Sequence, residues 1–211
     1  MKSTSHVILF LALVSATAAV PAFADTTLYS NGPANDTVAG YFIMPGYSIS
    51  DSFTLSQAST ITGATFDAWV YPGDSFTGVE WSIGTTEFDA SLGSATATPS
   101  NTYDFMNGLR WDIYTESFSI PDITLAAGTY WFTLGGATSV ENGHFLGWDV
   151  NNGPSVAFAT GVGNLNGYEE PGSNSETFSI NGIATPEPSS FLLLGTGLAG
   201  LALLGMRKAL A

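Results

Sequence analysis

Asp149, Asn151 and Asn152 crowd one short stretch, Asp149-Val150-Asn151-Asn152-Gly153-Pro154. Their carboxylate and amide oxygens are the ligands a hard cation takes, so calcium is the one ion this stretch could hold. Glu169-Glu170, ahead of Pro171-Gly172, forms a second acidic turn. The spacing is not that of an EF-hand loop, and Asn-Asn-Gly-Pro also makes a turn without any ion. No other cofactor is expected. Nucleophilic catalysis needs a nucleophile, a base and an orienting group. His144 is the only histidine after residue 24, there is no cysteine, and no lysine lies between residues 25 and 185. A Gly-x-Ser-x-Gly elbow is absent, and the many acids mark out no single pair for glycoside hydrolysis. The sequence therefore points to a non-enzymatic protein with no catalytic residues.

Two tryptophans carry a different chemistry. Alternation along Thr60 to Val70 sends Phe66, Ala68 and Val70 to one face and Asp67 and Trp69 to the other. Along Thr129 to Leu134, Tyr130, Phe132 and Leu134 alternate with Trp131 and Thr133. Trp69 and Trp131 thus fall on the expected solvent face, where an aromatic ring can stack on a sugar. The plainer reading is that loops or an edge strand cover both. Trp81 and Trp148 alternate with Val79 and Ile83, and with Leu146 and Val150, which makes them core residues.

The elements that position these residues are short strands. Val, Ile, Phe, Tyr, Trp and Thr dominate, broken every few residues by Gly, Asn, Asp and Pro. Strands are expected at 38–44, 48–55, 60–70, 78–84, 116–120, 129–134, 145–150, 155–160 and 176–180. The expected fold is all-β, a single β-sandwich of jelly-roll type, with an up-and-down barrel as the alternative. Turns fall at Tyr71-Pro72-Gly73-Asp74, Asn107-Gly108 and Asn151-Asn152-Gly153-Pro154. The apolar phase changes between Asp112-Ile113 and Phe118-Ser119-Ile120, which suggests a bulge or an unrecognised turn.

Charge narrows the partners. Seventeen of the 18 acids lie between residues 25 and 185, against Arg110 alone, a net charge near −16. Phosphate binding needs clustered Lys and Arg, so nucleic acid is excluded. The absence of cysteine excludes a disulfide framework.

Both ends read as export devices. Residues 1–24 have the parts of a signal peptide in order: Lys2, the apolar run Val7 to Val20, and Ala22-Phe23-Ala24. Signal peptidase would cut after Ala24 and leave Asp25 as the mature terminus. Residues 25–184 then form the ectodomain and 185–211 a tail. In that tail Pro186-Glu187-Pro188 precedes an uncharged run over about 189–206, near the lower limit for a single transmembrane helix. Arg207 and Lys208 follow it and should stay cytoplasmic. Gly195, Gly197, Ala199 and Gly200 make that helix slim.

The triplet, the glycine-rich apolar run and the terminal Arg207-Lys208 together resemble the PEP-CTERM sorting signal. Thr185 stands where that family often has valine. The resemblance implies export across the inner membrane of a Gram-negative bacterium and recognition of the triplet by an exosortase, a membrane-embedded protease-transpeptidase. It also implies processing near the triplet, an inner-membrane precursor, and a final place at the cell surface or in the extracellular matrix, often beside exopolysaccharide. The middle of the chain is similar to ectodomains found in front of this tail. Ser50-Asp51-Ser52-Phe53-Thr54-Leu55, Val79-Glu80-Trp81-Ser82-Ile83-Gly84 and Leu125-Ala126-Ala127-Gly128-Thr129-Tyr130-Trp131 carry that likeness. It implies fold and location, and no activity. The function expected is that of a surface or matrix protein associating with exopolysaccharide. The rivals are a carbohydrate-binding module with structural calcium, a secreted hydrolase, and an ice-binding protein, for which only Thr96-Ala97-Thr98 fits.

Overall fold

A computed structural model describes residues 25–35, 39–141, 143–161, 175–185, 194–201 and 205–206. The residues expected to form a signal peptide, with Ala22 and Ala24, the pair Glu169-Glu170, the Pro186-Glu187-Pro188 triplet and Arg207-Lys208 lie outside them. Asp25 is exposed at the start of the described chain.

Among the described residues thirteen strands follow in order: β1 (Thr26–Ser30), β2 (Gly40–Phe42), β3 (Tyr47–Leu55), β4 (Ser59–Val70), β5 (Phe76–Gly84), β6 (Gly93–Ala97), β7 (Ser100–Met106), β8 (Asp112–Leu125), β9 (Gly128–Ser139), β10 (Leu146–Asn151), β11 (Ala157–Gly161), β12 (Ser175–Glu176) and β13 (Phe178–Ala184). They form two open antiparallel sheets, which sets aside the closed barrel. The larger sheet has eight strands and runs β1-β13-β4-β10-β12, with β8 also on β4, β7 on β8 and β2 on β10. The smaller runs β11-β3-β9-β5-β6. Residues 194–201 and 205–206 are helical. Among the described residues no helix is long and apolar enough to cross a membrane.

β4 organises the larger sheet. One edge of it pairs with β8 from Ser59↔Leu125 to Val70↔Asp112. The other edge takes β13 as far as Phe66 and then β10 from Ala68 onward. The core forms where alternate residues of the two sheets meet. Phe66, Phe118, Trp148 and Phe178 of the larger sheet face Phe53, Trp81, Phe132 and Leu134 of the smaller. Edge-on aromatic contacts cross the interface, as between Phe132 and Trp148 at 5.7 Å between ring centroids. Trp81 and Trp148 are buried, as alternation predicts.

Trp69 takes the plainer of its two readings, cover by an edge strand, and not a place open to solvent. It lies on the face away from the core, where β2 of the same sheet and a layer of aromatic side chains cover it. β2 runs alongside β10, and a Cβ added to Gly40 would sit 3.1 Å from the Trp69 ring. Phe145 covers another side, 6.2 Å between centroids, and Phe42 and Trp111 pack on Phe145. Trp69 is left 5 % exposed, with Nε1 donating to Asp149 Oδ1 at 2.5 Å.

The same layer explains the phase change in β8. Pairing with β4 stays in step from Val70↔Asp112 to Gly63↔Ser119, and the register shift in this region falls on the other neighbour, between Tyr103 and Phe105 of β7, opposite Tyr114 and Ile113. Ile113 is opposite Trp69 and belongs to the outer layer, whereas Phe118 belongs to the core. The core-facing places between them are held by Tyr114, opposite Ala68, and by Glu116, opposite Phe66 and fully buried. Neither of its carboxylate oxygens has a hydrogen-bond partner, and burial pushes its pKa from 4.5 up to about 8.

Two measurements check this packing. Trp69→Ala, Trp81→Ala and Trp148→Ala should each cost about 3–5 kcal/mol in denaturant melts. A cost for Trp69→Ala in the surface range, about 0.5 kcal/mol, contradicts its burial. The second concerns Glu116. The folded state holds the Glu116 proton more tightly than the unfolded chain, so the stability it contributes is complete below the ordinary glutamate pKa and is lost as pH rises through about 8. Relative to Glu116→Gln, the wild type should lose melting temperature across that window. Parallel pH profiles for the two proteins contradict the assignment.

Candidate functional site

The outer face of the smaller sheet is built from strand register. One row across it reads Thr96, Glu80, Gly135, Ser48, Thr160, each opposite the next. The adjacent row reads Ser94, Ser82, Thr133, Ser50, Phe158. A third holds Gly84, Trp131 and Ser52. Most of these side chains are hydroxyls, which both donate and accept hydrogen bonds.

They line a groove of about 420 Å³ whose walls include Ser48, Glu80, Ser82, Phe88, Ser94, Thr96, Thr133 and Thr160. Phe88 enters from the β5–β6 connection at a positive φ of 57°, its amide donating to Ser50 Oγ at 3.1 Å. Asp89 holds that connection by accepting from the amides of Thr85 at 3.0 Å and Ser91 at 2.9 Å. Hydrogen bonds from Ser91 and Thr85 bring its carboxyl down to about 2. Thr133 Oγ1 donates to Ser50 Oγ at 2.8 Å, which fixes the groove floor. Gly136 has a φ of 56°, and a Cβ there would meet the Glu80 carboxyl at 2.8 Å, so only glycine lets Glu80 lie across the chain.

Trp131 is half-buried on this face, two residues along β9 from Thr133, and packs on Phe158 at 5.5 Å. It therefore flanks the hydroxyl rows as alternation along β9 implies. Trp69 does not join it: it lies under the outer layer of the other sheet. That layer ends in a second group of surface rings, in which Tyr71 packs on Trp111 at 5.7 Å and on His144 at 4.3 Å. His144 Nδ1 stands 3.4 Å from Asp74 Oδ2. Burial opposes charge on Asp74, but the amides of Glu141 and Ser75 donate to it and hold its carboxyl below the usual range.

The three residues singled out for calcium are divided. Asn152 is exposed, while Asp149 and Asn151 are buried. Asp149 accepts from Trp69. Asn151 Nδ2 donates to the carbonyls of Asn31 at 2.7 Å and Gly32 at 3.1 Å. Its Oδ1 accepts from the Gly153 amide at 2.8 Å and from Ser175 Oγ at 3.1 Å. Among the described residues no three His, Asp or Glu side chains form a metal-holding group.

Sequence reasoning missed the groove, although its signal was present. Ser48-x-Ser50-x-Ser52 and Glu80-x-Ser82 alternate with core residues and mark one polar face each. What the sequence could not show is that β3, β9, β5 and β6 lie side by side and bring those faces together.

Residues 184–208 match the family model of the PEP-CTERM protein-sorting motif. No match is found among curated proteins. The chain thus carries a PEP-CTERM sorting motif behind a β-rich domain of two antiparallel sheets, and the motif supports an exported protein sorted through an exosortase.

Proposed function

We propose that this chain is a non-enzymatic surface or matrix protein that associates with a neutral exopolysaccharide through the groove on its smaller sheet. The observation that carries the reading is the pair of hydroxyl rows beside Trp131, Phe158 and Phe88. A pyranose offers hydroxyls at its rim and C–H groups on its faces, and this surface has donors, acceptors and aromatic rings for both. The net charge near −16 favours a neutral glycan over an acidic one, which would be repelled. Consecutive strands repeatedly switch sheets, β2 to β3 to β4 to β5 and β8 to β9 to β10 to β11, which supports a sandwich of jelly-roll type.

On this reading the tail supplies location. A precursor is held in the inner membrane by a helix over about 189–206, with Arg207 and Lys208 inside, and is processed at the triplet. Glu187 sits between two prolines, which fix φ and disfavour helix there. The triplet is then presented as an extended strip that an exosortase reads.

Two experiments follow. In affinity electrophoresis against the host's exopolysaccharide, Trp131→Ala should weaken binding about tenfold, or ~1.4 kcal/mol, while Tyr71→Ala on the other sheet leaves it unchanged. Equal binding by wild type and Trp131→Ala, or loss with Tyr71→Ala alone, contradicts the groove. For the tail, Glu187→Ala should leave export intact and block C-terminal processing, so that an unprocessed form accumulates in the inner membrane. Normal processing of that variant, read by mass measurement of the mature terminus, leaves only a plain anchor.

A further inference from the structure

Behind the groove, on the core side of β3, polar side chains converge where hydrophobic ones are expected. Asp51 is fully buried. Its Oδ2 accepts from the Glu176 amide at 2.7 Å, from Ser155 Oγ at 2.8 Å and from Asn31 Nδ2 at 3.4 Å. Tyr29 lies against the cluster, its hydroxyl donating to Asn31 Oδ1 at 3.0 Å.

Asn31 Nδ2 is the centre of the arrangement. Besides Asp51 Oδ2 it meets Ser155 Oγ at 2.6 Å, the Glu176 carbonyl at 2.5 Å and Ser175 Oγ. A carboxamide nitrogen carries two hydrogens and cannot serve four acceptors at once. Oxygens gathered round one point at this range are what a hard cation requires, and calcium takes six to eight of them at about 2.3–2.6 Å.

Glu176 supplies the second, independent observation. It is fully buried and neither carboxylate oxygen has a hydrogen-bond partner. Its own amide donates to Asp51 Oδ2 and its carbonyl accepts from Asn31 Nδ2, so a buried acid without a partner is tied into this centre through its main chain, and the charges acting on it are those of Asp51 and Asp149. Burial first, and those two charges next, hold its pKa well above the usual range. Burial likewise raises Asp51 to about 6 against the pull of its hydrogen bonds. Burial, and then the Asp51 charge, push Tyr29 up to about 12. No cationic side chain relieves this: Arg110, the one Lys or Arg between residues 25 and 185, is exposed in the β7–β8 turn.

We propose that Asp51, Ser155, Ser175, the Glu176 carbonyl and the amide oxygens of Asn31 and Asn151 form a calcium site, with the Glu176 carboxylate as the second compensating negative charge. When bound, the ion takes the point now held by Asn31 Nδ2, and the Asn31 amide turns so that Oδ1 faces it. The first ligand group thus contains one carboxylate, and neutral oxygens complete it, in keeping with the absence of a three-acid group among the described residues. The ion ties the end of β1, the middle of β3, the segment before β11 and the start of β12 into one point.

The test uses the full chain purified in mild detergent, with calcium chloride as the probe. Native mass spectra should show one calcium per chain, and the melting temperature should rise with calcium and fall with EDTA, because an ion that binds the folded state stabilises it by mass action. Asp51→Asn should abolish the adduct, and Glu176→Gln should weaken it roughly 10–100-fold, as expected for a residue that tunes a metal without being its main ligand. If Asp51→Asn does not fold, Ser155→Ala at the half-buried rim takes its place and should lose affinity in the same way. Absence of a calcium adduct, an adduct unchanged in these variants, or an equal response to magnesium overturns the assignment. Glycan binding by Trp131 and calcium binding behind β3 are read by different variants, so either can fail without the other.

Discussion

Between residues 25 and 185 there are seventeen carboxylates and one basic side chain that is always charged, and the fold buries several of those carboxylates. A buried charge must be paired, solvated by hydrogen bonds or neutralised, since its transfer out of water otherwise costs several kcal/mol. The domain meets this constraint differently at each acid. Asp74 gathers main-chain amides and the His144 imidazole. Asp67 accepts from Thr115 and from the Ala34 amide. Asp149 takes the Trp69 indole. Glu116 has no donor and keeps its proton. Asp51 accepts from the Glu176 amide, Ser155 and Asn31, and the proposed calcium ion would balance Asp51 and the unpartnered Glu176 together.

β3 links that cluster to the surface. Its residues Ile49, Asp51 and Phe53 face the core, and Ser48, Ser50 and Ser52 face outward. One strand therefore anchors the acidic centre on one side and two hydroxyl rows on the other. Fixing Asp51 also fixes Ser50, whose hydroxyl accepts from both the Phe88 amide and Thr133.

The fold was legible where one face was buried and the other wet. β3, β5 and β9 alternate cleanly, and Trp81 and Trp148 were placed in the core from their neighbours alone. β1, β6 and β7 escaped because they are edge or near-edge strands with mostly exposed, polar or small residues, so no apolar period marks them. Trp69 and Ile113 misled for the opposite reason: β4 is covered on both faces, and alternation assigns a side without saying what covers it. The acidic cluster was half legible. Asn151 was singled out, but its companions Asn31, Asp51, Ser155 and Ser175 are scattered along the chain, and only the meeting of β3, β10 and β12 assembles them.

How the buried charge of Asp51 and Glu176 is balanced can be measured. Crystals of the exported protein grown in calcium would show this directly in an anomalous difference map. A single peak is expected, bounded by Asp51 Oδ2, Ser155 Oγ, Ser175 Oγ and the Glu176 carbonyl, with the Asn31 amide turned to offer its oxygen. A map with no peak there, and Asn31 still donating to those oxygens, would contradict the calcium site.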